Sequence, residues 1–287
     1  MDKLKRAAVI QDLSGLGKCS LTLTLPVLAA CGVECAALPT AYLSTHTGGF
    51  GEPVVRDLTA EMVPSARHWR RAEVLFDAFY FGYLSSQEQA GAAREIFRLF
   101  RDQKPLMLVD PVMGDEGRLY SRMTVEIERE IAVLCAQADV ITPNLTEAAL
   151  LLHQEYEPRP SRDRVIDMAR ALSRLGPRRV VLTGVRCLNT GIGVACYDAD
   201  VGWVNLIMGE ETPGHFHGTG DLFASALLAG LLHGKTLDQA ARIAVDFTAD
   251  SVRLTAACRT QERLGLLFET LLPGLAAYFR DEIAAAE

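Results

Sequence analysis

The residues best suited to chemistry in this 287-residue chain form the segment HGTGD at 217–221, directly before an apolar run at 222–232. Glycines before a helix let the backbone turn so that several N–H groups point at one spot. The positive end of the helix dipole favours a phosphate or a developing anion there. Asp221, at the mouth of such a site, could accept the proton of an attacking hydroxyl. An Asp at a helix N-terminus is also a common cap, so these residues alone leave both interpretations open.

Two further segments supply oxygen ligands. DPVMGD contains Asp110 and Asp115, and DVITPNLTE contains Thr142, Asn144 and Glu147. Kinases need acidic residues near the transferred phosphates to hold Mg²⁺, directly or through water. The Asn-x-x-Glu spacing is also typical of a helix cap, and capping is compatible with metal binding.

Two glycine-rich segments near the N-terminus have less specific patterns. GLGK at 15–18 does not match a dinucleotide-binding fingerprint, because Ser20 stands where a third Gly or Ala is needed and no acidic residue closes a matching second strand. A Walker A loop would need Gly at position 12, where this chain has Asp12, and Ser or Thr at position 19, where it has Cys19. The turn could line a pocket or simply join a strand to a helix. STHTGG at 44–49 could hydrogen-bond a polar ring, or His46 could be a structural hydrogen-bond partner.

The elements that must position these residues alternate along the chain. Strands are predicted over Ala7–Gln11, Val33–Leu38, Ala78–Gly82, Leu106–Val109, Val140–Thr142, Val180–Thr183, Ile192–Tyr197 and Trp203–Ile207. Helices are predicted over Ser20–Cys31, Pro53–Met62, Gln87–Gln103, Thr124–Gln137, Thr146–His153, Arg162–Leu175, Asp221–His233, Leu237–Ala257 and Glu262–Ala285.

This alternation predicts an α/β fold with a central, mostly parallel sheet and helices on both faces. The chain has no linker-like division, which favours a single domain over residues 1–287. Ligands of such folds bind beyond the carboxyl ends of the strands, where the polar residues gather.

Composition excludes several functional classes. The net charge of −7 argues against a nucleic-acid or acidic-membrane surface, and no apolar run is long enough to span a bilayer. The N-terminus lacks a signal-peptide pattern, so a cytoplasmic protein is expected. The seven cysteines are scattered without the spacing of a zinc site.

DPVMGD, TPNLTE and GTGD, in this order, resemble the ribokinase-like superfamily, and within it the pyridoxal kinases. IQDLSGLG, STHTGGFG and FGYLSSQEQ around Tyr83 support that branch, and the resemblance runs from about Val9 to about Ala257. It implies a ribokinase-like fold with no separate lid domain, and commonly a homodimer. The implied activity is ATP-dependent phosphorylation of the 5′-hydroxymethyl group of pyridoxal, pyridoxamine or pyridoxine, in the salvage of pyridoxal 5′-phosphate.

The resemblance also implies roles for individual residues. Asp221 corresponds to the general base, and the amides of Gly218, Thr219 and Gly220 to the anion hole. Metal binding is implied at Asp110, Asp115, Thr142 and Glu147: Mg²⁺ at the acidic residues, with Glu147 acting mainly through water, and in many members a monovalent cation such as K⁺ at the segments of Thr142 and Thr183. ATP binding is implied at Asn144, Thr183, Gly184, Gly218 and Gly220. The vitamer pocket is implied at Asp12, Ser14, Thr45, His46, Thr47 and Tyr83.

Two positions depart from the family pattern. Better-known pyridoxal kinases have a hydroxyl residue where this chain has Asp12. A carboxylate could pair with an amine or a ring N–H, which favours pyridoxamine over pyridoxal. His217 stands where the family more often has an apolar or small residue, and the sequence offers no account of it.

Two rival functions remain open. Hydroxymethylpyrimidine (phosphate) kinases of thiamine synthesis share the architecture, but many of them have Cys at the position of Asp221. A catalytically silent nucleotide- or B6-binding protein is the other rival. A silent relative has no physical need for the base and the acidic segments that this chain retains.

Overall fold

A computed structural model describes residues 4–186 and 191–279. Its strands are β1 (Arg6–Ser14), β2 (Glu34–Leu43), β3 (Val55–Asp57), β4 (Ala78–Phe81), β5 (Leu106–Val109), β6 (Gly114–Asp115), β7 (Arg118–Leu119), β8 (Val140–Ile141), β9 (Arg179–Val185), β10 (Ile192–Asp198) and β11 (Val204–Gly209). Its α-helices are α1 (Leu21–Ala30), α2 (Thr59–Arg71), α3 (Gln87–Phe100), α4 (Val125–Cys135), α5 (Leu145–Leu151), α6 (Arg162–Ser173), α7 (Thr219–Leu232), α8 (Leu237–Ala257) and α9 (Leu272–Ala277).

The main sheet of the described residues has nine strands in the order β11-β10-β9-β8-β5-β4-β1-β2-β3. Neighbouring strands from β9 to β2 are parallel. Both edges end in antiparallel pairs, β10 with β9 and β11 at one edge and β2 with β3 at the other. The predicted mostly parallel sheet is confirmed, and the strands predicted over Ile192–Tyr197 and Trp203–Ile207 correspond to the antiparallel pair of β10 and β11. Because parallel strands end at the same sheet edge, residues following β1, β5, β8 and β9 meet there.

Alternation along each strand sends side chains into two separate cores. In β1, Ala7 and Val9 face a layer formed largely by α1, α7 and α8. Ala8 and Ile10 face the opposite layer, formed largely by α2, α3, α4 and α6. Side chains that point alternately to the two faces of a strand require apolar residues at every position when both faces are covered. The predicted single-domain α/β architecture with helices on both faces is confirmed.

The helix that follows HGTGD is buried along almost its whole length. Residues 222–230 of α7 are all buried between the sheet, α1 and α8. A Cβ added to Gly230 would lie 2.7 Å from the Cβ of Ala240, so α7 and α8 approach too closely for a larger side chain. None of the helices within residues 4–186 and 191–279 is long and apolar enough to cross a membrane.

Two of the predicted helices are wrong in part. The predicted helix Pro53–Met62 includes β3, which pairs with β2, and α2 begins only at Thr59. The Asp57 carboxylate accepts a hydrogen bond from the Thr59 backbone N–H at 2.9 Å, which turns the chain from strand to helix. The predicted helix Glu262–Ala285 is instead two short 3₁₀ turns and α9, and Gly265 interrupts it at a φ of 78°. Residues 280–285 of that prediction lie outside the described residues.

Candidate active site

A cleft of about 430 Å³ lies at the carboxyl edge of the sheet. Twelve of the predicted site residues line it: Tyr83, Asp110, Asp115, Thr142, Asn144, Glu147, Thr183, Gly184, Gly218, Thr219, Gly220 and Asp221. The remaining predicted residues are not among its lining: Asp12, Ser14, Thr45, His46 and Thr47. The residues predicted to bind phosphate therefore line one cleft, while most of the residues predicted to bind the vitamer do not line it.

The start of α7 forms one end of this cleft. Gly218 occupies the cap position with a φ of 87°, and a Cβ there would come within 2.4 Å of the Lys18 carbonyl oxygen. The helix begins at Thr219, and its backbone bonding begins with the Leu222 N–H donating to the Gly218 carbonyl at 2.9 Å. The preceding N–H groups have no acceptor within the helix and can bind an anion.

Asp221 does not occupy the cap position, which belongs to Gly218. Its Oδ2 accepts a hydrogen bond of 2.8 Å from the Ser20 backbone N–H, on the segment that precedes α1. Burial raises the pKa of the Asp221 carboxyl to about 7, and the nearby charge of Asp12 acts in the same direction. A carboxyl with a pKa near the working pH is suited to accept a proton from a hydroxyl.

Asp110 faces the same spot from the end of β5. The register that pairs Val109 of β5 with Ile141 of β8 places Asp110 beside Thr142, whose hydroxyl donates to Asp110 Oδ1 at 3.1 Å. A Cβ on Gly220 would lie 3.7 Å from Asp110 Oδ2, which puts that oxygen at the start of α7. Burial raises the pKa of Asp110 to about 7, and the charge of Asp221 contributes.

Asn144 and Glu147 form the predicted cap, and it also organises the cleft. The Asn144 side chain accepts from the N–H groups of Thr146 and Glu147, and Glu147 Oε2 accepts from the Asn144 N–H at 2.8 Å. Glu147 Oε1 accepts from the Met113 N–H at 3.1 Å. The Asn144 amide donates to the Gly114 carbonyl at 2.8 Å. The cap of α5 therefore fixes the DPVMGD loop, and burial raises the pKa of the Glu147 carboxyl.

The acidic residues do not by themselves form a metal cage. Among residues 4–186 and 191–279, no group of three or more His, Cys, Asp or Glu side chains is placed to hold a metal ion. Asp115 is exposed on β6, although it lines the cleft, and its Oδ1 accepts from the Glu116 N–H. Mg²⁺ commonly binds one or two carboxylates together with substrate phosphates, so Asp110 suits such a shared site better than a protein-only site.

Thr183 and Gly184 reach the cleft at the end of β9. The Thr183 N–H donates to the Pro143 carbonyl at 2.8 Å, which ties β9 to the segment that leads into α5. A Cβ on Gly184 would meet nothing within 4 Å, so this position is open to the cleft.

The residues at the far end of the cleft were not predicted from the sequence. Side chains and glycines of β10, β11 and α8 line it: Ile192, Gly193, Val194, Gly209, Val245, Thr248, Ala249 and Val252. Apolar residues of strands and helices have the same pattern whether they face the core or a cleft. The sequence therefore held no separate signal for them.

On the other side of Asp221, three side chains meet at the end of β1. Asp12 is buried, and its carboxylate accepts hydrogen bonds from the hydroxyls of Ser20 at 2.6 Å and Ser14 at 3.1 Å. Tyr83 faces this group from the segment after β4. Burial raises the pKa of its phenol, and the charge of Asp12 contributes in the same direction. Ser20, which was not predicted as a site residue, contacts both Asp12 and Asp221.

His46 is buried, and both of its ring nitrogens contact the backbone. Nδ1 accepts from the Gly48 N–H at 3.0 Å, so the proton lies on Nε2, which donates to the Arg263 carbonyl at 2.6 Å. The ring packs so closely on Gly17 that a Cβ there would approach it to 2.1 Å. His46 therefore has the structural role that the sequence left open. Its vitamer contact stays a prediction.

The threonines on either side of His46 differ in exposure. Thr45 is partly buried in the same loop and Thr47 is exposed. Their contacts with a vitamer stay predictions.

Lys18 donates to the Leu266 carbonyl at 2.8 Å and forms an ion pair with Glu269. It therefore holds the C-terminal segment against the glycine-rich turn.

His217 connects the loop at 44–51 to the start of α7. Its ring centroid lies 4.9 Å from that of His46, and a Cβ on Gly48 would approach the His217 ring to 2.5 Å. Burial lowers the pKa of His217, which favours the neutral ring. The residue that the sequence did not explain therefore packs against the loop at 44–51, directly before the start of α7.

Comparison with known proteins agrees with this geometry. The family model described as phosphomethylpyrimidine kinase matches residues 25–265. The chain is 30% identical over 264 residues to the pyridoxine/pyridoxal/pyridoxamine kinase of Bordetella avium, covering 83% of this chain and 81% of that protein. It is 28% identical over 228 residues to the hydroxymethylpyrimidine/phosphomethylpyrimidine kinase of Rhizobium meliloti, covering 78% and 81%.

Solved structures give the same result. The pyridoxal kinase of Lactobacillus plantarum has a TM-score of 0.88 at 34% identity, covering 97% of this chain and 99% of that one. A Bacteroides thetaiotaomicron structure, described as a phosphomethylpyrimidine kinase and determined with pyridoxal, has a TM-score of 0.90 at 36% identity, covering 95% and 96%. The chain therefore belongs to the phosphomethylpyrimidine kinase family, within the ribokinase-like group that includes the pyridoxal kinases.

Proposed function

We propose that the protein transfers the γ-phosphoryl group of ATP to the 5′-hydroxymethyl group of a vitamin B6 vitamer: pyridoxal, pyridoxamine or pyridoxine. The observation that carries this proposal is the position of Asp221. Its carboxyl, with a pKa of about 7, lies in the first turn of α7, between the phosphate-suited helix start and the group around Asp12. A hydroxyl bound beside Asp221 meets a base, and a phosphoryl group beside it meets backbone N–H groups.

The reaction needs few additional groups. The substrate oxygen forms a bond to the γ-phosphorus while the bond from that phosphorus to the β,γ-bridging oxygen breaks. Asp221 takes the hydroxyl proton, and the N–H groups at 218–220 stabilise the charge on the transferred group. Positioning and charge stabilisation supply most of the rate in phosphoryl transfer, so this set is sufficient.

The residues of the cleft also fit Mg²⁺. Asp110 and Glu147 are buried carboxylates with raised pKa values, and a divalent cation would offset the cost of their charge. Asp110 would hold the ion together with ATP phosphates, and Glu147 would act through water. A bound Mg²⁺ would neutralise charge on the β- and γ-phosphates. A monovalent cation such as K⁺ remains a prediction for the segments around Thr142 and Thr183.

The shape of the cleft agrees with ATP as the phosphoryl donor. Its far end is bounded by apolar side chains, including Ile192, Val245 and Val252, which suit a flat heterocyclic base. Polar residues at the opposite end, including Asn144 and Thr183, suit phosphates. We therefore place the adenine ring against β10 and α8, with the triphosphate directed towards Asp221.

The deciding experiment is ATP-dependent phosphorylation by the purified protein, with Mg²⁺ and K⁺. The panel is pyridoxal, pyridoxamine, pyridoxine and hydroxymethylpyrimidine, with the Asp221→Ala variant as the matched control. We expect turnover of at least one B6 vitamer by the wild type, and its loss in the variant. Tight B6 binding without turnover of any substrate would instead identify a silent binding protein.

Hydroxymethylpyrimidine kinase is the second candidate. The description of the matched family model and the Rhizobium meliloti relative favour it. Its substrate also carries a hydroxymethyl group beside an exocyclic amino group on a nitrogen heterocycle, so Asp12 and Asp221 could serve it in the same way. Turnover of the pyrimidine alone would assign the protein to this function.

We also propose that the protein acts as a homodimer, as its family resemblance implies. Size-exclusion chromatography with light scattering tests this directly. A mass of about twice the chain's 31.3 kDa is expected, and a mass equal to one chain at micromolar concentration would contradict it.

A further inference from the structure

Ser20 has a backbone conformation that serine rarely adopts. Its φ is 52° and its ψ is −132°, and it is buried. This left-handed region is populated mainly by glycine, because a Cβ is strained there. Such strain persists only where the surrounding structure compensates for it, and it is often found at functional sites.

In this conformation Ser20 makes hydrogen bonds to two different carboxylates. Its backbone N–H donates to Asp221 Oδ2 at 2.8 Å, and its hydroxyl donates to Asp12 Oδ1 at 2.6 Å. Asp221 lies on α7 and Asp12 lies at the end of β1, so one residue joins carboxylates from two separate elements. A glycine would supply the N–H without strain, but only a side chain supplies the second bond.

The ordinary role of a serine at this position is not fulfilled. Ser20 is the N-cap of α1, where a serine hydroxyl usually accepts a hydrogen bond from an N–H of the first turn. Here the side chain makes no capping bond and is directed to Asp12 instead. Helix capping therefore does not explain the serine.

We propose that Ser20 is a positioning residue that couples Asp12 to Asp221, so that a substrate held by Asp12 presents its hydroxyl to the base. The inference rests on the proposed function. It assigns a role in substrate alignment to a residue other than the proposed base and the proposed phosphate-binding N–H groups. Small errors in such alignment are costly, because the reacting atoms must approach within a narrow range of distance and angle.

Two substitutions distinguish the contribution of the Ser20 hydroxyl from that of its backbone N–H. Ser20→Gly and Ser20→Ala both keep the N–H to Asp221 and remove the bond to Asp12. We expect each to lower kcat for the preferred vitamer about tenfold, the size expected for one hydrogen bond to a charged group, with little change in KM for ATP. The glycine variant should melt at a higher temperature than the alanine variant, because it also loses the backbone strain.

A double-mutant cycle with Asp12→Ala gives the decisive result. If Ser20 acts through Asp12, Ser20→Gly lowers kcat far less in the Asp12→Ala background than in the wild type. Equal losses in both backgrounds, or wild-type kcat in both single Ser20 variants, would overturn the proposal. A merely structural serine would give additive losses.

The coupling between Ser20 and Asp12 can also be tested if the proposed function fails. The wild type, Ser20→Gly, Asp12→Ala and the double variant are unfolded thermally without substrate. We expect the melting-temperature shifts of Ser20→Gly and Asp12→Ala to be non-additive. Additive shifts would contradict the coupling. An absence of vitamer turnover by the wild type would contradict only the proposed function.

Discussion

At the scale of single residues, the site depends on carboxyl groups that burial keeps easy to protonate. Asp110 and Asp221 both have a pKa of about 7, because burial penalises their charged forms and nearby negative charges add to the effect. Groups with pKa values near the working pH are typical of acid–base sites. Asp221 lies in the first turn of α7, where it suits the role of base. Asp110 accepts a hydrogen bond from the Thr142 hydroxyl and suits the role of metal ligand.

Replacing Asp221 tests the role of the base. Asp221→Ala should lower kcat by about 10²–10⁴-fold, because it removes general-base help. ATP binding should persist, since the N–H groups of the α7 start remain. Steady-state kinetics measures the first effect, and titration with a fluorescent ATP analogue measures the second. Wild-type turnover in the variant would exclude Asp221 as the base.

The pH profile of the wild type supplies a control for that variant. A base must be deprotonated, so kcat/KM should fall as the pH is lowered through about 7, by roughly tenfold per unit below it. The fall in the residual activity of Asp221→Ala should be less steep, because only Asp110 then titrates near pH 7. A profile that is flat from pH 8 to pH 5 would show that no carboxyl with a pKa near 7 is required.

Asp12 is the residue expected to set vitamer preference. Asp12→Ser should lower kcat/KM for pyridoxamine about tenfold relative to pyridoxal, because the cationic amine loses a charged partner. Asp12→Asn keeps the shape of the side chain but removes its charge, and should give a similar change. Competition assays with both vitamers measure the ratio. An unchanged ratio in Asp12→Ser would contradict this role.

At the scale of elements, two helical glycines distinguish the effect of close packing on stability from the effect of helix propensity. Gly230 in α7 packs against Ala240 of α8, and a Cβ there would meet the Ala240 Cβ at 2.7 Å. Gly91 lies in α3, where a Cβ would meet nothing within 4 Å. Alanine is favoured over glycine inside any helix by about 0.5–1 kcal/mol. The two positions therefore differ mainly in the space available for a Cβ.

Substituting these two glycines gives opposite predictions. Gly230→Ala should lower the free energy of unfolding by about 1–3 kcal/mol, because overpacking outweighs the helix preference of alanine. Gly91→Ala should raise it by about 0.5–1 kcal/mol. Urea unfolding of both variants measures these changes. A stabilised Gly230→Ala variant would show that α7 and α8 can separate at little cost.

The elements also show what the sequence could and could not predict. The apolar strands were predictable because strands covered on both faces need continuous apolar residues, and HGTGD was predictable because few other residues suit its turn. β3 is exposed at a sheet edge and has no apolar pattern, so the sequence wrongly indicated a helix. Ser20 looks like an ordinary helix cap in sequence. Its role depends on a backbone angle that only the structure reveals.

At the scale of the whole molecule, activity and stability make opposite demands on the carboxyl edge of the sheet. The sheet gathers Asp12, Asp110, Glu147 and Asp221 there, and burial raises the pKa of each carboxyl. Each charge that catalysis needs therefore costs folding free energy at neutral pH. Bound Mg²⁺ and substrate would offset part of this cost, which couples the stability of the whole domain to occupation of its site.

Asp110→Asn should accordingly stabilise the ligand-free protein at high pH. The carboxyl pKa rises from 3.8 in the unfolded chain to about 7 in the fold, so the folded state binds more protons between these values. Stability from this group is therefore fully present below pH 4 and is lost as the pH rises through 7. At pH 8 the charge costs on the order of 2–4 kcal/mol, which the isosteric amide avoids.

Thermal unfolding in EDTA, at pH 8 and pH 4, measures this difference. Asp110→Asn should raise the melting temperature by roughly 5 °C at pH 8 and by almost nothing at pH 4. Asp167→Asn on the exposed face of α6 is the matched control and should change little at either pH. A lower melting temperature for Asp110→Asn at pH 8 would mean that the protein itself compensates the charge. Metal and phosphate would then not be needed to stabilise this edge of the sheet.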